Sequence, residues 1–358
     1  MADYRMKRLA GLRDAMSALG AGGFLVTNLH NVSYLTGFTG SSGFVLVTAG
    51  KAVFITDFRY KSQSAEEVSG FDIVIQKSRW TEDVSGLARD MGIKRMAFES
   101  REMSFELHRV LSEKLAGVEL VPSKGTVEKL RMVKDEDEVR RITEAVKRAE
   151  RGFIENASRV TPGMVEKETA LGLEVNIRSA GSLKVPFDII VASGHRAALP
   201  HGIASDRVMS EGDTVIIDFG GEAYGYQSDI TRSGVLGRPD AKQAEIYDIV
   251  LEAQRRAIET VRPGVACKDV DLAARDFIAS KGYGDYFGHG LGHGVGLEVH
   301  EGPSVSCMSD DVAGPGMIFT VEPGIYLPDW GGFRIEDMVL VTDDGCTLLT
   351  SLSRDMVF

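Results

Sequence analysis

Three histidines, His289, His293 and His300, stand among five glycines in the stretch FGHGLGHGVGLEVHE, Phe287 to Glu301, with Glu298 and Glu301 beside them. The whole chain has only seven histidines, and five fall between His195 and His300. A solubilising surface does not need that crowding, and a hydrophobic core disfavours it. Imidazole ligates Zn, Fe, Co or Mn and carries protons near neutral pH. The glycines let backbone come close to a partner and adopt dihedrals closed to other residues. The stretch is therefore the first candidate site.

Four carboxylates have the right surroundings to join it. Asp218 follows Val215, Ile216 and Ile217 in a predicted central strand. A charge there is costly unless paired or bound to a metal. Asp229 comes eleven residues on, in YQSDITR, a spacing that suits a hairpin bringing both onto one strand pair. Glu322 ends the apolar run in FTVEPG, and Glu336 lies in GGFRIEDMVLV. Alternation along that last segment puts Arg334, Glu336 and Met338 on one face and Ile335, Asp337 and Val339 on the other. One histidine and four carboxylates, two of them able to bridge, form a cage for two divalent ions. Such ions lie about 3.5–4 Å apart and hold a bridging water as hydroxide. Oxygen-rich ligation favours Mn, Co, Zn or Fe over a thiolate-type site. His293 is the best histidine ligand. Plainer explanations exist for each acid: a turn or salt-bridge Asp218, an Asp229 paired structurally near Thr231 and Arg232, a loop Glu322, and a Glu336 paired with Arg334. One metal site accounts for all of them together.

These residues need a frame. Met6, Leu9, Leu12, Met16 and Leu19 follow helical spacing. Strands are expected at Phe24–Val26, Phe44–Val47, Val53–Ile55, Ile73–Ile75 and Met96–Phe98, and helices around Tyr60–Val68, Thr81–Met91 and Phe105–Leu115. This is an α/β domain of about 120 residues. Its segment TGFTGSSG, Thr36 to Gly43, reads as a turn or as a loop reaching an active site; it lacks the lysine and spacing of a phosphate-binding loop. VPSKGT, Val121 to Thr126, reads as a linker. It sets the domains at 1–125 and 126–358. A long amphipathic helix, with Val139, Ile142, Val146, Ala149 and Phe153 on one face, opens the second domain. Its charges read as a wet face, with helical pairs such as Glu144 and Arg148.

The second domain carries a weak internal duplicate. Thr161-Pro-Gly-Met-Val is echoed by Arg262-Pro-Gly-Val-Ala 101 residues later, each before a predicted helix. EGDTVIIDFG, Glu211 to Gly220, is echoed by GPGMIFTVEPG, Gly314 to Gly324. In both, a carboxylate, Asp218 or Glu322, falls six residues after a turn glycine, Gly212 or Gly316. Two α+β halves about a pseudo-twofold axis are expected, with further helices at Ala241–Thr260 and Val270–Ala279.

Composition narrows the function. The chain has 358 residues, 43% of them hydrophobic, enough for two domains with a substantial core. A net charge of -11 argues against a general nucleic-acid binder. Three cysteines without CxxC spacing fit a reducing compartment. The N-terminus lacks a signal-type apolar run and no segment approaches a membrane span, so a cytoplasmic protein is expected.

On IDFG (Ile217 to Gly220), SDITR (Ser228 to Arg232), HGLGHGVGLEVHE (His289 to Glu301), VEPGIY (Val321 to Tyr326) and GGFRIED (Gly331 to Asp337), the chain resembles the metal-dependent Xaa-Pro peptidases of the pita-bread fold. These are proline dipeptidase (prolidase) and aminopeptidase P, with methionine aminopeptidase a smaller relative lacking the first domain. YLTGFTGSSG and ITDFRY look like the small domain of bacterial members. The resemblance implies an α/β N-terminal domain and an α+β pita-bread catalytic domain. It places metal ligands on Asp218, Asp229, His293, Glu322 and Glu336, with Asp229 bidentate, Asp218 and Glu336 bridging, and Glu322 as general base. By the same resemblance His201, in LPHG, orients the scissile bond or stabilises the intermediate, and His300 donates to the substrate carbonyl. Arg334 supports the network, and His289 lies near the proline pocket. His195 receives no role beyond surface or substrate entrance. Mn is the expected ion, with Co, Zn or Fe as alternatives, and Xaa-Pro peptides the expected partners. Two-domain members are commonly homodimers in which the small domain covers the partner's site, a part TGFTGSSG fits. Many dipeptidases carry an arginine soon after HExP, where this chain has Ser304. That departure favours an Xaa-Pro aminopeptidase acting on longer peptides over a strict dipeptidase. A metal-free creatinase-like hydrolase or a non-catalytic peptide binder would sit badly with a complete ligand set.

Overall fold

The computed structural model describes residues 2–157 and 160–356. It divides into two compact units, Met1–Arg131 and Met132–Phe358.

The first unit runs α1 (Ala2–Ala18), β1 (Gly23–Val26), α2 (Leu29–Thr36), β2 (Phe44–Val47), β3 (Ala52–Thr56), α3 (Lys61–Glu67), β4 (Asp72–Ile75), α4 (Trp80–Asp90), β5 (Arg95–Glu99), α5 (Phe105–Lys114), β6 (Glu119–Ser123) and α6 (Thr126–Met132). Its six strands form one mixed sheet in the order β4-β3-β2-β1-β5-β6. Leu25, Leu46, Ile55, Val84, Met96 and Leu111 are buried together between sheet and helices.

Two expectations need correction here. Val121 to Ser123, read as linker, belongs to β6, which pairs in parallel with β5 and sets Pro122 opposite Phe98. Proline lacks a donor, but β6 is an edge strand, where one is not needed. The division between units also falls after Arg131, not at 125. The helix α6 packs on the first unit: Val127 is buried, and the buried Arg131 donates through Nη1 to Asn31 Oδ1 at 2.8 Å.

The second unit runs α7 (Glu136–Ala157), α8 (Glu166–Ser179), β7 (Ile190–Ser193), β8 (Thr214–Phe219), β9 (Glu222–Ala223), β10 (Tyr226–Gln227), β11 (Ile230–Val235), α9 (Ala241–Thr260), α10 (Cys267–Ser280), β12 (Gly292–Gly294), β13 (Glu301–Val305), β14 (Ile318–Val321), β15 (Gly324–Leu327), β16 (Gly331–Arg334), β17 (Asp337–Val341) and β18 (Cys346–Leu348). Its main sheets are β11-β8-β7 and β13-β12-β14-β17-β18.

The duplication is visible in backbone detail. Gly163 and Gly264 both take left-handed conformations, φ +95° and +83°, just ahead of α8 and α10. Their amides donate to Met209 O and Ala313 O, and the bridges Val165–Val208 and Ala266–Val312 follow in step. Gly212 and Gly316, φ +82° and +85°, lead into β8 and β14 in the same way. The helix α7 packs on α8, and α9 on α10.

The charges of α7 are more than a wet face. Ile142, Val146, Ala149 and Phe153 are buried as expected, and Phe153 stacks on Phe219 of β8 with ring centroids 4.8 Å apart. Glu138 and Glu150 are buried too. Glu138 accepts from Tyr226 Oη at 3.0 Å, and Glu150 accepts from Ser351 Oγ at 2.7 Å. Buried carboxylates persist because donors meet them.

Candidate metal centre

Alternation along β8 sends Val215, Ile217 and Phe219 into the core on one side and Ile216 and Asp218 to the other, where Ile216 packs on Ala197 and Tyr326. Asp218 is the cross-strand partner of Thr231 on β11. The chain between them folds as a short β9–β10 hairpin whose turn residues, Tyr224 and Gly225, both have positive φ, 55° and 86°. That turn returns Asp229 beside Asp218, as the spacing led one to expect.

Glu336 arrives by a different route from the one expected. Arg334 to Val339 is not one strand. The chain pairs with β15 up to Arg334, then crosses to pair with β14 from Asp337. Ile335 and Glu336 lie at the crossing, where Glu336 N donates to Thr231 O at 3.1 Å. Arg334 and Glu336 still face the same side, because Ile335 is buried and Asp337 turns to Arg232, Gln254, Thr350 and Arg354.

The ligand-type atoms converge. Those of Asp218, Asp229 and Glu336 lie within 4.8 Å of one another, and so do those of His293, Glu322 and Glu336, and of Asp229, His293 and His300. His293 Nε2 stands 3.4 Å from Glu322 Oε1 and 3.6 Å from Asp229 Oδ2. Its Nδ1 meets Gly294 O at 3.1 Å, which makes Nδ1 the protonated nitrogen and turns the Nε2 lone pair toward the two carboxylates. Thr320 Oγ1 accepts from His293 N and donates to Glu322 Oε1, both at 3.1 Å. Thr231 Oγ1 donates to Glu336 Oε2 at 2.7 Å.

Arg334 is the cation that answers this cluster. Its Nη2 donates to Asp218 Oδ2 at 2.6 Å, Nε to Thr231 Oγ1 at 3.1 Å, and Nη1 to Pro200 O at 3.0 Å and Tyr326 Oη at 3.1 Å. Burial opposes its charge, but Tyr326, Asp218 and Glu322 outweigh that and hold the guanidinium protonated. Tyr326 Oη then has its own proton for His289 Nε2 at 2.9 Å, while His289 Nδ1 donates to Gly290 O at 2.8 Å. Both ring nitrogens of His289 are thus engaged, and burial pushes its pKa down to about 4. The ring forms wall, edge-on to Phe287.

One guanidinium does not neutralise four carboxylates. Burial, then Glu336 and Asp218, raises the pKa of Asp229. Burial, then Glu322 and Asp218, raises that of Glu336. Burial raises Glu322 to about 7, with Arg334 working against it. Burial lowers the pKa values of His293 and His300, so neither imidazole supplies the missing charge.

All nine expected residues, Asp218, Asp229, His293, Glu322, Glu336, His201, His289, His300 and Arg334, line one cavity of about 470 Å³. Phe187, Ile190, Pro200 and Ile203 give it an apolar side. His201 and His300 are exposed at it, and the His300 ring lies 4.2 Å from that of His293. His195 is exposed and does not line the cavity. Two of the plainer pairings do not occur, since Arg232 meets Asp337 and not Asp229, and Arg334 does not meet Glu336; the salt bridge read as an alternative for Asp218 does occur, with Arg334. Tyr326, Thr231 and Thr320 were not singled out from sequence. The one signal available was a hydroxyl-bearing residue inside or just after an apolar run that also carries a ligand, as in FTVEPGIY and SDITR.

Residues 140–343 match the metallopeptidase family M24, and residues 8–133 match the creatinase/prolidase N-terminal domain. The chain belongs to metallopeptidase family M24. It is similar to the Xaa-Pro dipeptidase of Pyrococcus horikoshii, 38% identical over 93% of each chain. Among solved structures it resembles an Xaa-Pro dipeptidase from Bacillus anthracis, 42% identical with TM-score 0.96 over 99% of each chain. It also resembles an X-Pro aminopeptidase from Thermotoga maritima, 41% identical with TM-score 0.89, covering 96% of this chain and 99% of that one. The M24 chain is thus a metal-dependent exopeptidase of the pita-bread fold, and divalent ions are implied.

Its donors fit such ions. Asp218 Oδ1 and Glu336 Oε1 are buried without a hydrogen-bond partner. His293 Nε2 faces carboxylate oxygens of Glu322 and Asp229 at 3.4 and 3.6 Å. Two ligands each about 2.1 Å from one ion sit about 3.0–3.4 Å apart, close to the His293–Glu322 separation. Among the described residues no helix is long and apolar enough to cross a membrane.

Proposed function

We propose that this M24 enzyme is an Xaa-Pro dipeptidase that uses two divalent ions, Mn(II) foremost, held by Asp218, Asp229, His293, Glu322 and Glu336. The observation that carries the metal-assisted reaction is the pair of buried, partnerless oxygens Asp218 Oδ1 and Glu336 Oε1, set beside the unprotonated Nε2 of His293. Bound ions would polarise the scissile carbonyl and bring the pKa of a water down to near neutrality.

The chain's own groups supply the rest. Glu322 takes the proton of the attacking water and passes it to the proline nitrogen, a secondary amine that must be protonated to leave. His201 and His300, exposed at the cavity, present ring N–H groups to the carbonyl oxygen as charge develops there. Phe187, Ile190, Pro200 and Ile203 offer the apolar surface that a proline ring or an aliphatic residue covers. Arg334 holds Asp218 and, through Tyr326, His289 in place.

Support for the dipeptide substrate comes from the two relatives whose names state that activity. The aminopeptidase reading keeps two observations: the Thermotoga neighbour, and Ser304, which is exposed and does not line the cavity. Cys267, Cys307 and Cys346 are free thiols, which accords with a cytoplasmic enzyme, and the homodimer is proposed on the family resemblance alone. The deciding experiment follows proline or peptide release from Ala-Pro and Ala-Pro-Ala by the Mn(II)-loaded protein, with a chelated control. Preference for Ala-Pro is expected. Preference for the tripeptide would make the enzyme an aminopeptidase.

A further inference from the structure

The segment from Ser193 to Ser205 leaves β7, makes a 3-10 turn at Gly194–Ala198, and brings Pro200, His201 and Ile203 to the cavity before rejoining the fold. His201 itself is exposed, and a side chain on an excursion of this length needs its ends fixed to hold a geometry. One buried carboxylate does that at three points. Glu166, the first residue of α8, is 0% exposed. Its Oε1 accepts from Ser193 N at 2.8 Å and Ser193 Oγ at 2.7 Å. Its Oε2 accepts from Ser205 N at 3.0 Å, from Ser205 Oγ at 2.6 Å and from Arg196 Nη1. Arg196 in turn closes the segment on itself through Nη2 to Ile203 O at 2.7 Å. On the other side, the active-site Arg334 holds Pro200 O.

We infer that Glu166 is a positioning residue for catalysis, setting His201 through the two ends and the middle of the segment that carries it. The inference rests on the role proposed above for His201. None of the five donors to Glu166 belongs to the metal cluster, so its effect reaches the reaction through the segment and not through ligation. An amide cannot replace this carboxylate. A glutamine NH2 at either oxygen's place would face at least one backbone N–H, a donor meeting a donor.

The test is a double-mutant cycle in the full-length Mn(II)-loaded enzyme with Ala-Pro, using Glu166→Gln and His201→Ala, with Mn(II) affinity and melting temperature measured alongside. E166Q is expected to lower kcat by about 10-fold to 100-fold with Mn(II) affinity unchanged. In the H201A background it should add less than about 2-fold, because the two act as one unit. Equal losses in both backgrounds, or wild-type kcat for E166Q, would overturn the inference. Unchanged kcat for H201A alone would remove the proposed role of His201 and this inference with it. If E166Q does not fold, Ser205→Ala keeps the carboxylate and removes one donor. The same cycle then applies, and a kcat loss confined to the His201-containing enzyme is the expected result.

Discussion

Arg334 Nη2 donates to Asp218 Oδ2 at 2.6 Å and leaves Asp218 Oδ1 buried with no donor. The same guanidinium also grips Thr231, Pro200 and Tyr326. A lysine has one point charge and no planar fork, so Arg334→Lys cannot keep all four contacts. We expect about a 100-fold loss in kcat/KM for Ala-Pro, with a weaker fit of Asp218 to its ion. Steady-state kinetics together with Mn(II) content after dialysis check this. Near-wild-type values for both would remove Arg334 from the account.

Tyr326→Phe isolates the second half of that chain. It deletes the donor to His289 Nε2 and the acceptor of Arg334 Nη1 while keeping the ring. Activity should fall by about 10-fold with metal content unaltered, since no ligand is touched. Unaltered kinetics would mean that packing on Phe287 and the bond to Gly290 O hold His289 without Tyr326.

Stability should depend on pH in a way that ions reverse. The folded pKa of Glu322, about 7, lies above its ordinary 4.5. Between those values the folded protein binds more protons than the unfolded one, so the ion-free protein loses stability as pH rises through that window. Asp229 and Glu336, also raised, act in the same sense. His289, pushed down to about 4, acts oppositely, gaining stability as pH rises from about 4 to 6.5. Chelation does not alter His289, so the difference between loaded and chelated protein reports on the proposed ion ligands, the raised carboxylates and His293 together. Ion binding needs them deprotonated. The rise in melting temperature on adding Mn(II) should therefore be small near pH 5 and largest above about pH 7. A rise independent of pH would contradict this charge assignment.

Asp337 tests the scaffold under the site. It is 0% exposed and accepts from Arg232, Gln254, Thr350 and Arg354. Asp337→Ala strands the buried Arg232 and should cost about 3–5 kcal/mol in chemical denaturation of the chelated protein. A cost under about 1 kcal/mol would show that the network relaxes around the loss.

Much of this was readable in the residues. Phe44–Val47 and Ala241–Thr260 have the bounds that their patterns implied, because each is a complete run between turn or capping residues; Asp240 and Gln243 form the capping box that opens α9. The proposed ligands stood out because charges in apolar strands demand partners. What stayed hidden depends on tertiary pairing. Pro122 read as a break until β5 gave β6 a neighbour. Asp337 and Glu336, adjacent in sequence, part ways only because the chain changes partner strand between β16 and β17. Tyr326 reaches the site through the β15–β16 hairpin, and Glu166 acts on residues 27 to 39 positions away, so neither has a local signature.

The most direct test of the central claim is titration of the chelated protein with Mn(II) while Ala-Pro hydrolysis and bound metal are followed together. Turnover is expected to be absent without metal and to rise until two ions are bound per chain. Full turnover by the chelated protein, or two bound ions with no turnover, would contradict it.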